Sequence, residues 1–389
     1  MSERYLPVRP NLTQLKHQAK DLLREMKRAQ PDAKLAQAQF ALARSYDVES
    51  WPRLVLACRM VDAICRDDVD EVRALVMKHP HLLHEMARGT KDCNWGPPMS
   101  YAANLGHGNV IAALRALGAT DLTRAMDRAV LQGQIETARQ LHAMGARLQR
   151  GCVMGPCETQ NREGLAFLLE LGAELCDQNG DRSMPLAMLL GTYCRNSRGK
   201  HECLELLASH GVALPDTPTM AVHRGRIDLL EQHLRADPDL LRRPFSLREI
   251  YADSGERDAN GNDLGIHGTP LDGTSLLHLC VDQDEPELLT WLCEHAADAN
   301  VKAVVDADGF GGHTPLFGCV VMAPGLGGSP ELAGILLDHG ADPNVRASLR
   351  KDGREYRDVT TIAWGQRFHD RDVVNVPAMQ LIAERGGRD

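Results

Sequence analysis

The chain has 389 residues, of which 43% are hydrophobic and only 4% aromatic, and its formal net charge is −9. This length suits two or three ordinary domains or one elongated array of repeats, while the shortage of aromatic residues argues against a large core built on rings. The acidic balance excludes general nucleic-acid binding, which needs a basic face, but leaves room for a local basic patch.

The sequence pattern of residues 1–57 predicts a helical leader. Asn11 can cap a first helix whose apolar residues form one stripe and which ends before Pro31. A second helix runs through Leu35 to Leu42, and a third begins at Ser50-Trp51-Pro52. We expect a second domain to start at residue 58.

The cysteines and the hydropathy pattern indicate a compartment. The eleven cysteines lie mostly inside apolar helical runs, without the regular spacing of a disulfide framework, which indicates buried thiols in a reducing environment. The N-terminal segment is charged and lacks the apolar centre of a signal peptide. No run approaches the roughly 20 apolar residues that cross a bilayer. We therefore predict a cytoplasmic protein with no membrane partner.

From Met60 onward one pattern recurs, in which a short apolar helix, a polar turn and a longer helix end at a glycine. It is seen at Pro97-Pro98-Met99-Ser100-Tyr101-Ala102-Ala103 followed by Gly106-His107, and again at Gly312–Asn344, which ends in Gly-Ala-Asp-Pro-Asn. Other closing glycines are Gly118, Gly145, Gly172, Gly211 and Gly386. The first of these segments resembles the ankyrin pattern T-P-L-H-x-A-A-x-x-G-H in most positions.

The ankyrin resemblance covers residues 58–388 and implies an all-α fold with short β-hairpin fingers. The expected architecture is an ankyrin-repeat solenoid of about nine irregular repeats behind an N-terminal helical cap. The leader is similar to the helical segment ahead of ankyrin repeats in some bacterial proteins. His278 occupies the place of the family's T-P-L-H histidine, which hydrogen-bonds the backbone of neighbouring repeats.

The repeat lengths depart from the family's usual length of about 33 residues. Gly118, Gly145 and Gly172 are only 27 residues apart, whereas Ala296 to Gly340 is 44 and Gly340 to Gly386 is 46. The surplus falls in three enlarged loops, at 244–273, 301–312 and 345–359. Long loops in a packed array are either functional or disordered, so we expect the working surface in the C-terminal half.

The enlarged loops and their borders carry the candidate binding residues, which are Glu249, Tyr251, Phe310, His313, Arg354, Tyr356, Arg357, Trp364 and His369. The loop 345–359 gathers five basic residues around Tyr356, and arginine and tyrosine favour interfaces and anionic ligands. A solvated hairpin tip explains the same composition. Trp364 can equally cap the core of the last repeat.

Asp306 and Asp308 admit three interpretations. Two carboxylates two residues apart on an extended strand face the same way, so they could pair a general acid with a general base or bind a cation. Turn chemistry leading into Gly309 explains them as well and is the reading we favour. The segment 258–263 begins like a calcium loop but has aspartate where the glycine is required, which favours a simple turn. We expect no cofactor and no metal.

These patterns favour a protein–protein interaction module that binds its partner in a concave groove through the enlarged C-terminal fingers. The alternative is an enzyme with hydrolase- or lyase-type chemistry at Asp306 and Asp308, or a receptor for a small anionic or sugar-like ligand. The chain has no P-loop, G-x-S-x-G or H-E-x-x-H motif, which favours the first hypothesis. An effector exported into a host is compatible with the composition, but no motif supports it.

Overall fold

A computed structural model of the chain describes residues 5–90, 93–251, 268–322 and 328–389. These residues are mostly helical, with one two-stranded antiparallel sheet among them. The chain divides into two compact units, one made of Met1–Gly155 with Phe167–Ala173 and the other of Pro156–Ala166 with Glu174–Asp389.

The first unit contains the predicted leader and the helix pairs that follow it. Helices α1 to α3 give it an apolar cluster that includes Leu15, Leu42, Leu54 and Cys58, so the leader packs as part of this unit. The helices of the unit are α1 (Leu12–Ala29), α2 (Leu35–Ser45), α3 (Trp51–Cys65), α4 (Val69–Lys78), a 3₁₀ turn (Pro80–Leu83), α5 (Pro98–Leu105), α6 (Gly108–Ala116), α7 (Leu122–Leu131) and α8 (Ile135–Ala143).

The predicted helix starts of the leader are confirmed. The side-chain oxygen of Asn11 accepts a hydrogen bond from the Gln14 N–H at 3.1 Å, and the Ser50 hydroxyl accepts one from the Arg53 N–H at 3.4 Å. Each bond satisfies one of the backbone donors that a helix leaves unpaired in its first turn.

The second unit holds the C-terminal helix pairs and the sheet. Two short helices, α9 (Met154–Glu158) and α10 (Arg162–Glu170), are each divided between the units. The remaining elements are α11 (Met184–Gly191), α12 (Ser197–Ser209), α13 (Pro218–His223), α14 (Ile227–Ala236), a 3₁₀ turn (Pro238–Leu241), α15 (Leu247–Tyr251), α16 (Leu276–Asp282), α17 (Pro286–Glu294), α18 (Pro315–Gly318), α19 (Glu331–Asp338), β1 (Ala347–Lys351), β2 (Arg354–Val359), α20 (Thr361–Arg367), a 3₁₀ turn (Arg371–Val373) and α21 (Val376–Glu384).

The predicted closing glycines end their helices in one shared geometry. Gly118, Gly145, Gly172, Gly211, Gly340 and Gly386 all have positive φ. The residue after the glycine donates its N–H to a carbonyl five positions earlier, as from Ala146 to Leu141 at 3.0 Å and from Ala341 to Leu336 at 3.0 Å. This bond turns the chain sharply out of the helix and satisfies a carbonyl of its last turn.

One predicted cap is wrong. Thr314 precedes α18 as expected, but its side chain makes no capping bond. Its hydroxyl is buried with no hydrogen-bond partner in the described part of the chain. Helix α18 has only four residues, so this capping signal precedes a single turn of helix.

All eleven cysteines are unpaired, and burial raises the pKa of Cys58 to about 11, which keeps its thiol protonated. Within the described ranges, no helix combines the length and the apolar character that crossing a membrane requires.

Candidate interaction surface on the C-terminal fingers

The described residues of the three enlarged loops belong to the second unit. We call 244–273 the first finger, 301–312 the second and 345–359 the third. Residues 252–267 of the first finger, including the predicted turn at 258–263, lie outside the described residues. Backbone hydrogen bonds link the fingers in sequence, from the Val304 N–H to the Gly273 carbonyl at 2.9 Å and from the Gly311 N–H to the Ser348 carbonyl at 2.6 Å.

The third finger is a β-hairpin formed by β1 and β2. Its turn is Asp352-Gly353, with φ of 53° and 70°, which is the pair of left-handed residues that a tight two-residue hairpin turn requires. Leu349 pairs with Tyr356, and Arg350 pairs with Glu355. The first pair is buried and the second is exposed, so the two faces of the hairpin have different roles.

The buried face rests on an aromatic cluster made of Tyr356, Trp364 and Phe368. The Tyr356 ring meets Trp364 edge-on with centroids 4.8 Å apart and stacks on Phe368 at 6.0 Å. Trp364 is fully buried, and its indole N–H donates to the Thr269 hydroxyl at 3.2 Å. Trp364 therefore packs beneath the third finger, as the core-capping interpretation predicts. Tyr356 is also buried, with 8% of its surface exposed.

His369 ties this cluster to the hairpin turn. Its Nδ1 lies 3.0 Å from the Tyr356 hydroxyl, and its Nε2 lies 3.5 Å from a carboxylate oxygen of Asp352. The imidazole is about a quarter exposed. It holds the turn of the third finger against the aromatic cluster.

The exposed face carries a stack in which two guanidinium groups cover one phenyl ring. Arg350 and Arg357 lie 4.1 Å and 4.3 Å from the centroid of Phe310. A cation over an aromatic face is attracted by the ring quadrupole. Phe310, in the second finger, is only 5% exposed because the arginines of the third finger cover it. We call these three residues the arginine–phenylalanine stack.

Acidic neighbours neutralise part of this positive charge. Arg350 lies 3.3 Å from Asp308 and 3.4 Å from Glu355, and Arg357 lies 3.1 Å from Glu355. Arg354, at the hairpin turn, is exposed and has no ion pair among the described residues. The finger surface is therefore mixed in charge and rich in arginine.

Asp306 serves the turn of the second finger. One of its carboxylate oxygens accepts the N–H groups of Asp308 and Phe310, each at 2.9 Å. The bond from Phe310 is the largest of the effects that lower the pKa of Asp306. A carboxylate stabilised in this way is a poor general acid, and Asp308 is occupied by Arg350. The geometry matches turn chemistry and supplies no acid–base pair.

The remaining predicted residues divide between surface and interior. Glu249 accepts the N–H and the hydroxyl of Ser246, each at 2.9 Å, and also pairs with Arg243. Tyr251 is buried, and its hydroxyl donates to Asp282 at 3.4 Å. His313 is buried, and its Nε2 donates to the Pro270 carbonyl at 2.9 Å. Tyr251 and His313 hold backbone and core together and do not face a partner.

The predicted role of His278 is confirmed. Its Nε2 lies 3.1 Å from the carbonyl oxygen of His313, so that nitrogen carries the proton. Its Nδ1 accepts hydrogen bonds from the N–H and the hydroxyl of Ser275 at 3.3 Å and 2.9 Å. The histidine thus joins the start of its own helix to the backbone that leads into α18.

A buried charge cluster in the second unit was missed by the sequence reasoning. The Lys200 ammonium lies 2.8 Å from Glu285, and the Arg195 guanidinium lies 3.0 Å from Asp282. All four side chains are at most 6% exposed. Gln283 connects the two pairs, because its oxygen accepts from Lys200 at 3.1 Å and its amide donates to Asp282 at 2.7 Å. Buried ions require this kind of pairing.

One signal for this cluster was present in the sequence. The buried residues of α12 include Lys200, Cys203, Leu204 and Leu207, which is the spacing of one helix face. A lysine at a position of that apolar stripe indicates a buried partner of opposite charge. Among the described residues, no group of three or more metal-binding side chains converges.

The comparisons with known proteins add little to this geometry. No protein-family model matches the chain, and no curated protein matches it. Among solved structures, the chain is similar to the human ASB11 ankyrin repeat domain at 15% identity and a TM-score of 0.29, covering 75% of this chain and 99% of that one.

Proposed function

We propose that this chain is an ankyrin-type protein-interaction module, of the bacterial kind with a helical leader, that acts in the cytoplasm. Its partner binds in the groove formed by the inner helices and the C-terminal fingers. The proposal is supported by the closing glycines, by the role of His278 and by the hydrogen-bonded fingers of the second unit. Arrays of this type present rigid surfaces to other proteins.

The observation that carries the proposal is the surface beside the arginine–phenylalanine stack. Val304 and Val305 of the second finger are 54% and 56% exposed, although valine is usually buried. Arg350 and Arg357 are 43% and 57% exposed while Phe310 holds their guanidinium groups in place. Interfaces concentrate their binding energy in arginine and aromatic residues that are ordered before binding.

Site-specific photo-cross-linking tests this surface. A photoreactive residue at Val305 is expected to give a discrete protein adduct in the native cytosol. The same residue at Val376, which is 48% exposed in the same unit but outside the fingers, is the matched control. The variant V304S/R350A/R357A should reduce the Val305 adduct by at least about tenfold, because the loss of a single central contact worth about 1.4 kcal/mol already weakens binding tenfold.

Two outcomes would contradict the proposal. Equal labelling from Val305 and Val376 would show that contact is non-specific. An adduct at Val305 that V304S/R350A/R357A leaves unchanged, in a variant that melts like the original chain, would place the partner on other residues.

A further inference from the structure

A groove in the second unit lies outside the fingers and has no role in the proposed function. It has a volume of about 570 Å³, within the range of small-molecule sites. Helix α12 contributes His201 and Glu205, the turn between α13 and α14 contributes Arg224 and Arg226, and Arg162 lies at the start of α10.

The floor of the groove is built from buried charge. The Nε2 of His201 lies 2.8 Å from Glu285, which is 5% exposed and also holds Lys200 at 2.8 Å. The imidazole lies directly against Gly225, where an added Cβ would be 2.1 Å from its Cε1. His201 therefore has one fixed position, and the floor of the groove is ordered before any ligand binds.

The arginines of the groove are held in different ways. The guanidinium of Arg224 donates two hydrogen bonds to the carboxylate of Glu205, at 2.8 Å and 3.0 Å. Arg226 likewise donates two hydrogen bonds to the carboxylate of Asp228, at 2.7 Å and 2.5 Å. Arg162 is exposed and has no ion pair among the described residues.

The acidic residues of the groove leave a positive excess. The second glutamate in the lining, Glu202, is paired with Arg198 at 3.0 Å, a residue outside the lining. Glu205 holds Arg224 and Asp228 holds Arg226, so among the described residues Arg162 is the groove arginine whose charge no carboxylate neutralises. The arrangement of Glu205 on Arg224 is the two-pronged geometry that guanidinium groups also offer to phosphate.

We propose that this groove binds a small phosphate monoester, whose phosphate lies between Arg162, Arg224 and Arg226 and displaces Glu205 from Arg224. In the ligand-free protein Glu205 takes the place of the anion. It therefore acts as an internal competitor that weakens binding until a dianion, with more charge than a carboxylate, replaces it. The fixed His201 forms the floor against which the phosphate rests.

Isothermal titration calorimetry on the full chain at low ionic strength tests this site. The probes are phosphoserine as a phosphate monoester, inorganic phosphate as the free dianion, and acetate as a monocarboxylate. Phosphoserine should bind saturably with one site and about tenfold more tightly than acetate, because hydrogen bonds between two ions strengthen with charge. Inorganic phosphate should bind more weakly than phosphoserine if the organic part also contacts the groove.

Three substitutions in the groove should change the affinity in opposite directions, and a fourth, outside the groove, is the control. R162A and R226A should each weaken phosphoserine binding by about tenfold, the loss expected for one charged hydrogen-bonding partner. E205Q should tighten it by about threefold or more, because the competing carboxylate is gone while its shape remains. R28A removes an exposed arginine of α1, in the first unit, and should leave the affinity unchanged.

The proposal is overturned by any of three results. These are no saturable binding of any probe at millimolar concentration, an equal loss of affinity in R28A and R162A, and an E205Q variant whose affinity is unchanged or weaker. Thermal melting of each variant shows that the fold is intact. The finger surface takes no part in this site. Failure of the photo-cross-linking test at Val305 therefore does not affect the phosphate-binding proposal.

Discussion

Asn300 donates its side-chain amide to the carbonyl oxygen of Gly340 at 2.9 Å, across forty residues of chain. The amide oxygen of the same side chain accepts the N–H of Asp342 at 2.7 Å. Asn344 repeats both bonds one helix pair later, to the Gly386 carbonyl at 3.1 Å and from the Arg388 N–H at 3.0 Å. The asparagine of Gly-Ala-Asp-x-Asn therefore fastens the end of one helix pair to the end of the next.

Replacing Asn300 with alanine should destabilise the second unit by about 1–2 kcal/mol, because two hydrogen bonds worth roughly 1 kcal/mol each are lost. N344A should lose a similar amount, and K302A, at an exposed lysine nearby, should be neutral. Urea denaturation followed by circular dichroism measures these changes. An N300A variant as stable as the original chain would show that water replaces both bonds without loss.

Ala296 follows α17 at the position where the other helix pairs have their closing glycine, and its φ is +70°. This left-handed conformation is strained for alanine and free for glycine. A296G should therefore stabilise the second unit by about 0.5–1 kcal/mol. The matched control is A297G, one residue on and without the positive φ, which should be destabilising. Stabilisation by both substitutions, or by neither, would contradict the assignment of strain to Ala296.

Three buried histidines should make the second unit sensitive to acid. Burial is the largest cause lowering the pKa of His223 and His278 to about 3 and that of His313 to about 4. Below the unfolded value of about 6.5 the unfolded chain binds protons that the folded chain does not. Stability is therefore complete above pH 6.5 and falls as the pH drops from 6.5 towards 4, by about 1.4 kcal/mol per pH unit for each histidine.

Denaturant titrations between pH 7 and pH 5 measure this slope. H278Q keeps a donor that can reach the His313 carbonyl but does not titrate, so its slope should be smaller by about 1.4 kcal/mol per pH unit. Asp284 opposes the trend, since burial raises its pKa. A stability that is constant or rises on acidification would refute the prediction.

The buried pair Lys200–Glu285 should behave differently from surface pairs. K200M leaves the Glu285 carboxylate buried beside a thioether and should cost about 3–5 kcal/mol. The double variant K200M/E285M removes both charges and should recover much of that loss. The control R235M removes the exposed partner of Glu231, a pair at 2.6 Å, and should change stability by less than about 1 kcal/mol.

A double variant no more stable than K200M would show that Lys200 does not offset the cost of burying the Glu285 carboxylate. His201 also contacts Glu285, so the double variant is compared again in an H201Q background. Urea denaturation of the original chain, H201Q, K200M/E285M and the triple variant separates the effect of Lys200 on Glu285 from that of His201. Additivity fails only for residues that interact.

The helix boundaries and closings of this chain could be predicted from sequence because they depend on neighbours within a few residues. Asn11 and Ser50 accept N–H groups three residues on, and Gly340 ends its helix through its own backbone conformation. The Asp352-Gly353 turn belongs to the same class. The preferred φ and ψ angles and the short-range hydrogen bonds of these residues require no knowledge of the rest of the fold.

The tertiary structure decided which side chains of the second unit are exposed and which are buried. Trp364 looks like a binding residue beside a basic loop, yet it is buried because it meets Thr269, ninety-five residues away. Phe310 is covered by arginines of another finger, and Lys200 is neutralised by Glu285 from the turn before α17. Burial of a side chain depends on what distant segments place next to it, whereas local sequence reports only the conformation of its own segment.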